Sequence, residues 1–247
     1  MVAIPPQLES DSTLPVIADL PSDLYSDEPE MESDLHLRQM LLLISCLDWL
    51  WQDRNDFYAS GNMTVYYSPK KIKNRDFRGP DFMVALDTER RPRKSWVVWE
   101  EDGKYPNVIV EILSDSTANV DRTTKKQLYQ DTFRTPEYFW VDPNTGEFAG
   151  FILVGGTYEL ISSNAAGHLW SQQLQLFLGI HDFQLRYFTP DGELVPTPAE
   201  AAKGAQQAVQ AAQQAAQEAQ QAAQAVQSQN DRLVAKLQEL GIDPMAL

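Results

Sequence analysis

The chain has 247 residues, a single cysteine and a formal net charge of −15. One cysteine excludes an intrachain disulfide framework and suits a reducing compartment. The acidic balance excludes a chain that coats nucleic acid with uniform positive charge, because phosphate contacts need Lys and Arg.

The first 30 or so residues are acidic, bear prolines and have little periodicity, and read as a flexible arm over residues 1–30. Nine acids and no Lys or Arg fall within residues 1–37. Ser33 is placed to cap a helix from about Asp34 to Arg54, whose apolar positions include Leu35, Met40, Leu43, Ile44, Leu47, Leu50 and Trp51. Cys46 lies in that run and reads as a small buried hydrophobe. The run from Met40 to Trp51 is too short to span a bilayer, which takes roughly 20 apolar residues. With no basic leader followed by an apolar stretch at the start, a soluble cytoplasmic protein without membrane contact is expected.

Gly61-Asn62 marks a turn, NMTVYY a short strand, FMVAL a second and SWVVWEED a third that ends at Gly103. Glu100 and Glu101 then read as exposed turn acids. NVIVEIL, residues 107–113, is a continuous apolar run interrupted by Glu111, which reads as a central strand covered on both faces. A helix is expected over residues 118–134, followed by the strand EYFWV. FAGFILV and TYELIS form a hairpin about Gly155-Gly156, and short strands continue to about Thr189. The expected fold class is α/β (α+β). From Pro198 to about Leu240 the composition shifts to Ala and Gln, which favour helix. Ala205, Ala208, Ala212, Ala215, Ala219, Ala222 and Val226 alternate spacings of three and four, the seam of a coiled coil over residues 198–247. A homo-oligomer, most simply a dimer, joined through this helix is expected, with a long helix that never pairs as the close alternative.

Asp81 opens the FMVAL strand, Glu111 sits inside another and Lys125 follows on a helix. Two carboxylates supply hard oxygens for Mg²⁺, and an ammonium group can meet charge on a phosphate. Asp121, Lys125 and Tyr129 are spaced four apart and share a helical face. Around Asp81, residues 70–94 hold nine bases (Lys70, Lys71, Lys73, Arg75, Arg78, Arg90, Arg91, Arg93 and Lys94) against four acids, a candidate grip on a phosphate backbone. His36, His168 and His181 have no metal-ligand spacing, although His36 could face the site from the first helix.

GPDF, VEILSDST, D-x-x-x-K-x-x-x-Y and EYFWVDP together resemble the Uma-type restriction endonuclease family of the PD-(D/E)XK nuclease superfamily, from about Met31 to Asp191. The resemblance implies a restriction-endonuclease-like domain over residues 31–197, a central mixed sheet flanked by helices with the metal at one end of the sheet. It implies that Asp81 and Glu111 bind Mg²⁺ (or Mn²⁺), that Lys125 is catalytic with them, and that DNA is cut. Asp121 and Tyr129 would position Lys125 and the loop from Ser114 to Thr117. The superfamily lysine normally follows the second acid by two residues, where this chain has Leu113; Lys125 matches the family's displaced lysine and Lys126 is its neighbour. Two other readings stand beside this one: an inactive interaction protein on a nuclease scaffold, and a metal-free hydrolase using the two carboxylates as acid and base.

Overall fold

The computed structural model describes residues 33–68, 77–114 and 121–241. The expected arm and Lys70, Lys71, Lys73 and Arg75 of the basic run lie outside the described residues. The chain divides into a unit ending at Val195 and a second beginning at Pro196.

In the first unit, α1 (Asp34–Leu50) starts where Ser33 accepts a hydrogen bond from the His36 backbone N–H at 3.2 Å, as the sequence predicts, but ends four residues earlier than expected. The strands are β1 (Phe57–Gly61), β2 (Val65–Tyr66), β3 (Phe77–Arg78), β4 (Phe82–Leu86), β5 (Trp96–Val97), β6 (Val108–Ile112), β7 (Glu137–Val141), β8 (Phe148–Val154), β9 (Thr157–Leu160), β10 (Leu169–Ser171), β11 (Leu176–His181) and β12 (Gln184–Phe188). Between β6 and β7 runs α2, residues 121–133, which has π-helical hydrogen bonding over Asp121–Lys125 and Tyr129–Phe133 around one α-helical stretch, Lys126–Leu128. The fold class is α+β, with a mixed sheet ordered β1-β4-β6-β7-β8-β9. β6 and β7 pair in parallel and the other neighbours in this sheet are antiparallel. A parallel pair needs a long crossover, and α2 lies within it.

β6 is buried along its whole length, the centre of the sheet that its apolar run predicts. Alternation sends Val108, Val110 and Ile112 into one core layer with Met40, Leu43 and Leu47 of α1 and Leu178, Leu185 and Tyr187 of the β10-β11-β12 sheet. Ile109 and Leu113 enter the opposite layer with Trp96, Tyr129, Phe133 and Tyr138. Glu111 shares this second parity.

Two segments differ from the sequence reading. SWVVWEED forms only the two-residue β5 and then turns, because Arg93 and Glu101 clamp the segment back on itself. Phe57–Gly61, which the sequence reading passed over, is an edge strand of the main sheet. A third buried acid, Glu137, was also missed. Its carboxylate accepts from the Ser171 hydroxyl and from the N–H groups of Gln172 and Gln173 at 2.6 and 3.2 Å, tying β7 to the turn after β10. Burial pushes this carboxyl above its ordinary pKa, with those three donors pulling the other way. It is a structural bracket.

The side chain of Gln39 fastens α1 to the small sheet. Its amide donates to the Leu185 carbonyl and accepts from the Leu185 N–H, both at 2.9 Å, so it pairs with β12 as a strand would. In the second unit, α3 (Pro198–Glu239) opens on a complete capping box between Thr197 and Glu200 and buries none of its residues. Among the described residues no helix is long and apolar enough to cross a membrane.

Gln39→Ala strands both Leu185 backbone groups in an apolar layer. Denaturant unfolding should show a loss of about 2 kcal/mol or more, with a slope like that of the parent chain.

Candidate active site

The register of the main sheet sets the two acids opposite one another. β4 and β6 are antiparallel with Phe82 facing Val110, so one step further brings Asp81 to Glu111. Cβ atoms of directly opposed residues lie about 5 Å apart. Asp81 precedes the first residue of β4 and keeps 15 % of its side chain exposed, whereas Glu111 lies within β6 and is 0 % exposed. One carboxylate therefore sits at the mouth of the site and the other at its floor.

Each oxygen of the pair already meets a donor. Lys125 Nζ donates to Glu111 Oε2 at 2.9 Å and the Tyr129 hydroxyl donates to Oε1 at 2.6 Å. The two donors come from α2 with i, i+4 spacing, so one helix face delivers both to one carboxylate. Asp81 Oδ2 accepts from the Ile112 N–H at 2.7 Å, and His36 Nε2 lies 3.2 Å from Oδ1. Burial pushes the Asp81 carboxyl up, but the His36 hydrogen bond, the nearby Lys125 charge and the Ile112 N–H outweigh it and hold the group below its ordinary pKa. Burial, and then the charge of Glu111 and the hydrogen bond to it, drive the Tyr129 hydroxyl well above 10. Tyr129 therefore remains a donor through the neutral range.

The sequence-predicted residues thus fall into three groups. Asp81, Glu111, Lys125 and Tyr129 come together at one end of the sheet. Asp121 begins α2, but its side chain lies outside the described set, as does most of the 114–117 loop. Lys126 turns away, with its ammonium 3.5 Å from the Phe151 ring centroid. Leu113, where the superfamily places its lysine, is packed in the second core layer. His36 was not assigned to the site by spacing, yet it is the side chain that meets Asp81.

The basic run has a different fate from the one the sequence suggests. Arg93 is 2 % exposed, donates to both oxygens of Glu101 at 2.6 and 2.9 Å, and stacks over Tyr58 and Trp96. Arg91 also reaches Glu101 at 2.8 Å, and Arg90 pairs with Asp48 at 2.7 Å. Glu101 is accordingly a buried partner of two guanidinium groups and not an exposed turn acid. These arginines brace the 88–104 segment.

Among the described residues no group of three or more His, Cys, Asp or Glu side chains is arranged to hold a metal. The donor set nevertheless fits Mg²⁺, which is commonly held by one or two carboxylates and completes its shell with waters and substrate phosphates. A carboxylate oxygen that accepts one hydrogen bond retains a second lone pair.

Tyr129→Phe removes a donor from a buried carboxylate and should cost about 1.5–3 kcal/mol in urea unfolding. A carboxyl with a depressed folded pKa contributes stability above its unfolded value, about 3.9 for Asp, and loses it as pH falls through the folded value. Stability of the parent chain should therefore drop on acidification below about pH 4, and Asp81→Asn should drop less over the same range.

The Uma2 family model, described as "Putative restriction endonuclease", matches residues 24–186. A crystal structure titled as a putative nuclease belonging to DUF820 from Anabaena variabilis is 14 % identical, with 63 % of this chain and 83 % of that chain covered and a TM-score of 0.46. No curated protein matches. The match to the family model spans most of the first unit, including the opposed acids and the helix that serves them, and the chain belongs to the Uma2 family.

Proposed function

We propose that this nuclease-family chain is an endonuclease that hydrolyses DNA phosphodiester bonds with Mg²⁺, or Mn²⁺, held by Asp81 and Glu111. The observation that carries the reading is the convergence of two opposed carboxylates with Lys125 at one sheet end. Bound there, a divalent ion would screen the phosphate and lower the pKa of an attacking water. The chain's own groups have separate tasks. Lys125, 17 % exposed, is the cation at the rim; swinging off Glu111 frees an oxygen and presents the ammonium to phosphate oxygens, where charge accumulates. Tyr129 stays on Oε1 and fixes the plane of the Glu111 carboxylate. Asp121 lies one π-turn before Lys125 and would steady it and the loop before the helix. DNA as substrate follows from the family description, and of the bases around residues 78–94, Arg90, Arg91 and Arg93 are engaged by acids of this chain.

A second reading is favoured by one feature: each oxygen of the pair is already met by a donor of this same chain. A self-neutralised site suits a nuclease scaffold that has become an interaction protein, with residues 31–197 as the folded body and residues 198–247 as the assembly device. In either reading the alanine seam of α3 pairs two chains, and in the first a dimer would present two sites to two strands.

Purified protein should nick supercoiled DNA with Mg²⁺ or Mn²⁺ and not with chelator. Asp81→Ala and Glu111→Gln should each abolish nicking, and Lys125→Ala should slow it by about a hundredfold or more. Folded wild-type protein that never nicks, while α3 still assembles chains, would favour the scaffold reading. A chain ended after Thr197 should keep its chemistry and fall to monomer mass in light scattering; unchanged mass would remove α3 from the assembly.

A further inference from the structure

The nuclease reading uses Asp81, Glu111, Lys125 and Tyr129. It leaves His36 unexplained. This histidine is buried and sits in the first turn of α1, a helix whose apolar residues pack in the opposite core layer from those of α2. Three separate features fix where it points. Ser33 caps the helix on the His36 N–H. Gln39, three residues on, locks the helix to Leu185 through two hydrogen bonds. Met40, Leu43 and Leu47 fill the core layer beneath. Rotation of α1 about its axis would break the Gln39 pairing and lift these side chains from the core, so His36 is held against Asp81.

Asp81 is thereby gripped from two sides. The Ile112 N–H, from the strand that carries Glu111, takes Oδ2. His36 Nε2, from a helix on the other layer, faces Oδ1. A carboxylate held by one donor can still turn about its Cβ–Cγ bond; two donors on its two oxygens define its plane. Groups that orient a metal-binding side chain in this way govern affinity strongly, with losses of about 10–100-fold when they are removed.

We infer that His36 is a positioning residue of the nuclease site: it orients the Asp81 carboxylate toward a divalent ion from α1, and does not ligate the ion itself. The inference rests on the assignment of Asp81 and Glu111 as metal ligands. It makes α1, and behind it the small β10-β11-β12 sheet, part of the apparatus that sets metal affinity.

Mn²⁺ binding to the full chain without DNA tests this by titration of the free-ion electron paramagnetic resonance signal. His36→Ala should weaken Mn²⁺ binding by about 10–100-fold, and His36→Gln, whose amide N–H can occupy the place of Nε2–H, should recover most of the loss. The pulsed spectrum of wild-type protein with bound Mn²⁺ should lack the ¹⁴N modulation of a directly bonded imidazole. Unchanged affinity in His36→Ala, or a His36→Gln variant as weak as His36→Ala, would overturn the positioning role. Strong ¹⁴N modulation lost in His36→Gln would overturn it in favour of ligation. Wild-type protein that binds no Mn²⁺ would bring down the metal reading itself, and this inference with it.

Discussion

A carboxylate without exposed surface in the central strand of a sheet is the constraint on which the site depends. Leaving such a charge without a partner costs about 3–5 kcal/mol, so β6 can carry Glu111 only if another element brings donors to it. That element is α2, the crossover demanded by the parallel pairing of β6 with β7. Its two donors arrive with the spacing of one helical face. The same geometry that makes the acid tolerable in the core makes it a candidate for chemistry, because the donor at the rim, Lys125, is a cation that reaches solvent.

Three buried acids among the described residues show how burial alone fails to identify a site. Glu137 has no exposed surface, yet all its described donors are backbone or hydroxyl groups that close a turn. Glu101 is sealed between Arg91 and Arg93. Glu111 differs because the residue opposite it is another acid, partly exposed, and because its cationic partner reaches solvent. Like charges set against each other are costly to keep, and in the proposed reading a divalent cation would relieve that cost.

Much of this was legible in the chain. One acid inside an otherwise apolar run marked β6 and Glu111 together, Ser33 announced α1, the Gly155-Gly156 pair announced the hairpin, and the alanine- and glutamine-rich run from Pro198 announced α3. What local pattern could not carry was the work of distant partners. SWVVWEED has the composition of a strand, but Arg93 and Glu101 fold it into a clamp after two residues. Glu137 looks like the polar edge of EYFWV until Ser171, far along the chain, is set beside it. His36 has no ligand spacing with any other residue, and only the packing of α1 across the sheet brings it to Asp81. The basic run offered a candidate grip on phosphate, whereas Arg90, Arg91 and Arg93 answer acids of the same chain.

The most direct measurement of the central claim is anomalous diffraction from a crystal of this protein soaked in Mn²⁺. The account predicts one anomalous peak between the carboxylates of Asp81 and Glu111, with the Lys125 ammonium displaced from Oε2 while the Tyr129 hydroxyl remains on Oε1. A crystal showing no ion there at saturating Mn²⁺, with Lys125 still bonded to Glu111, would contradict it.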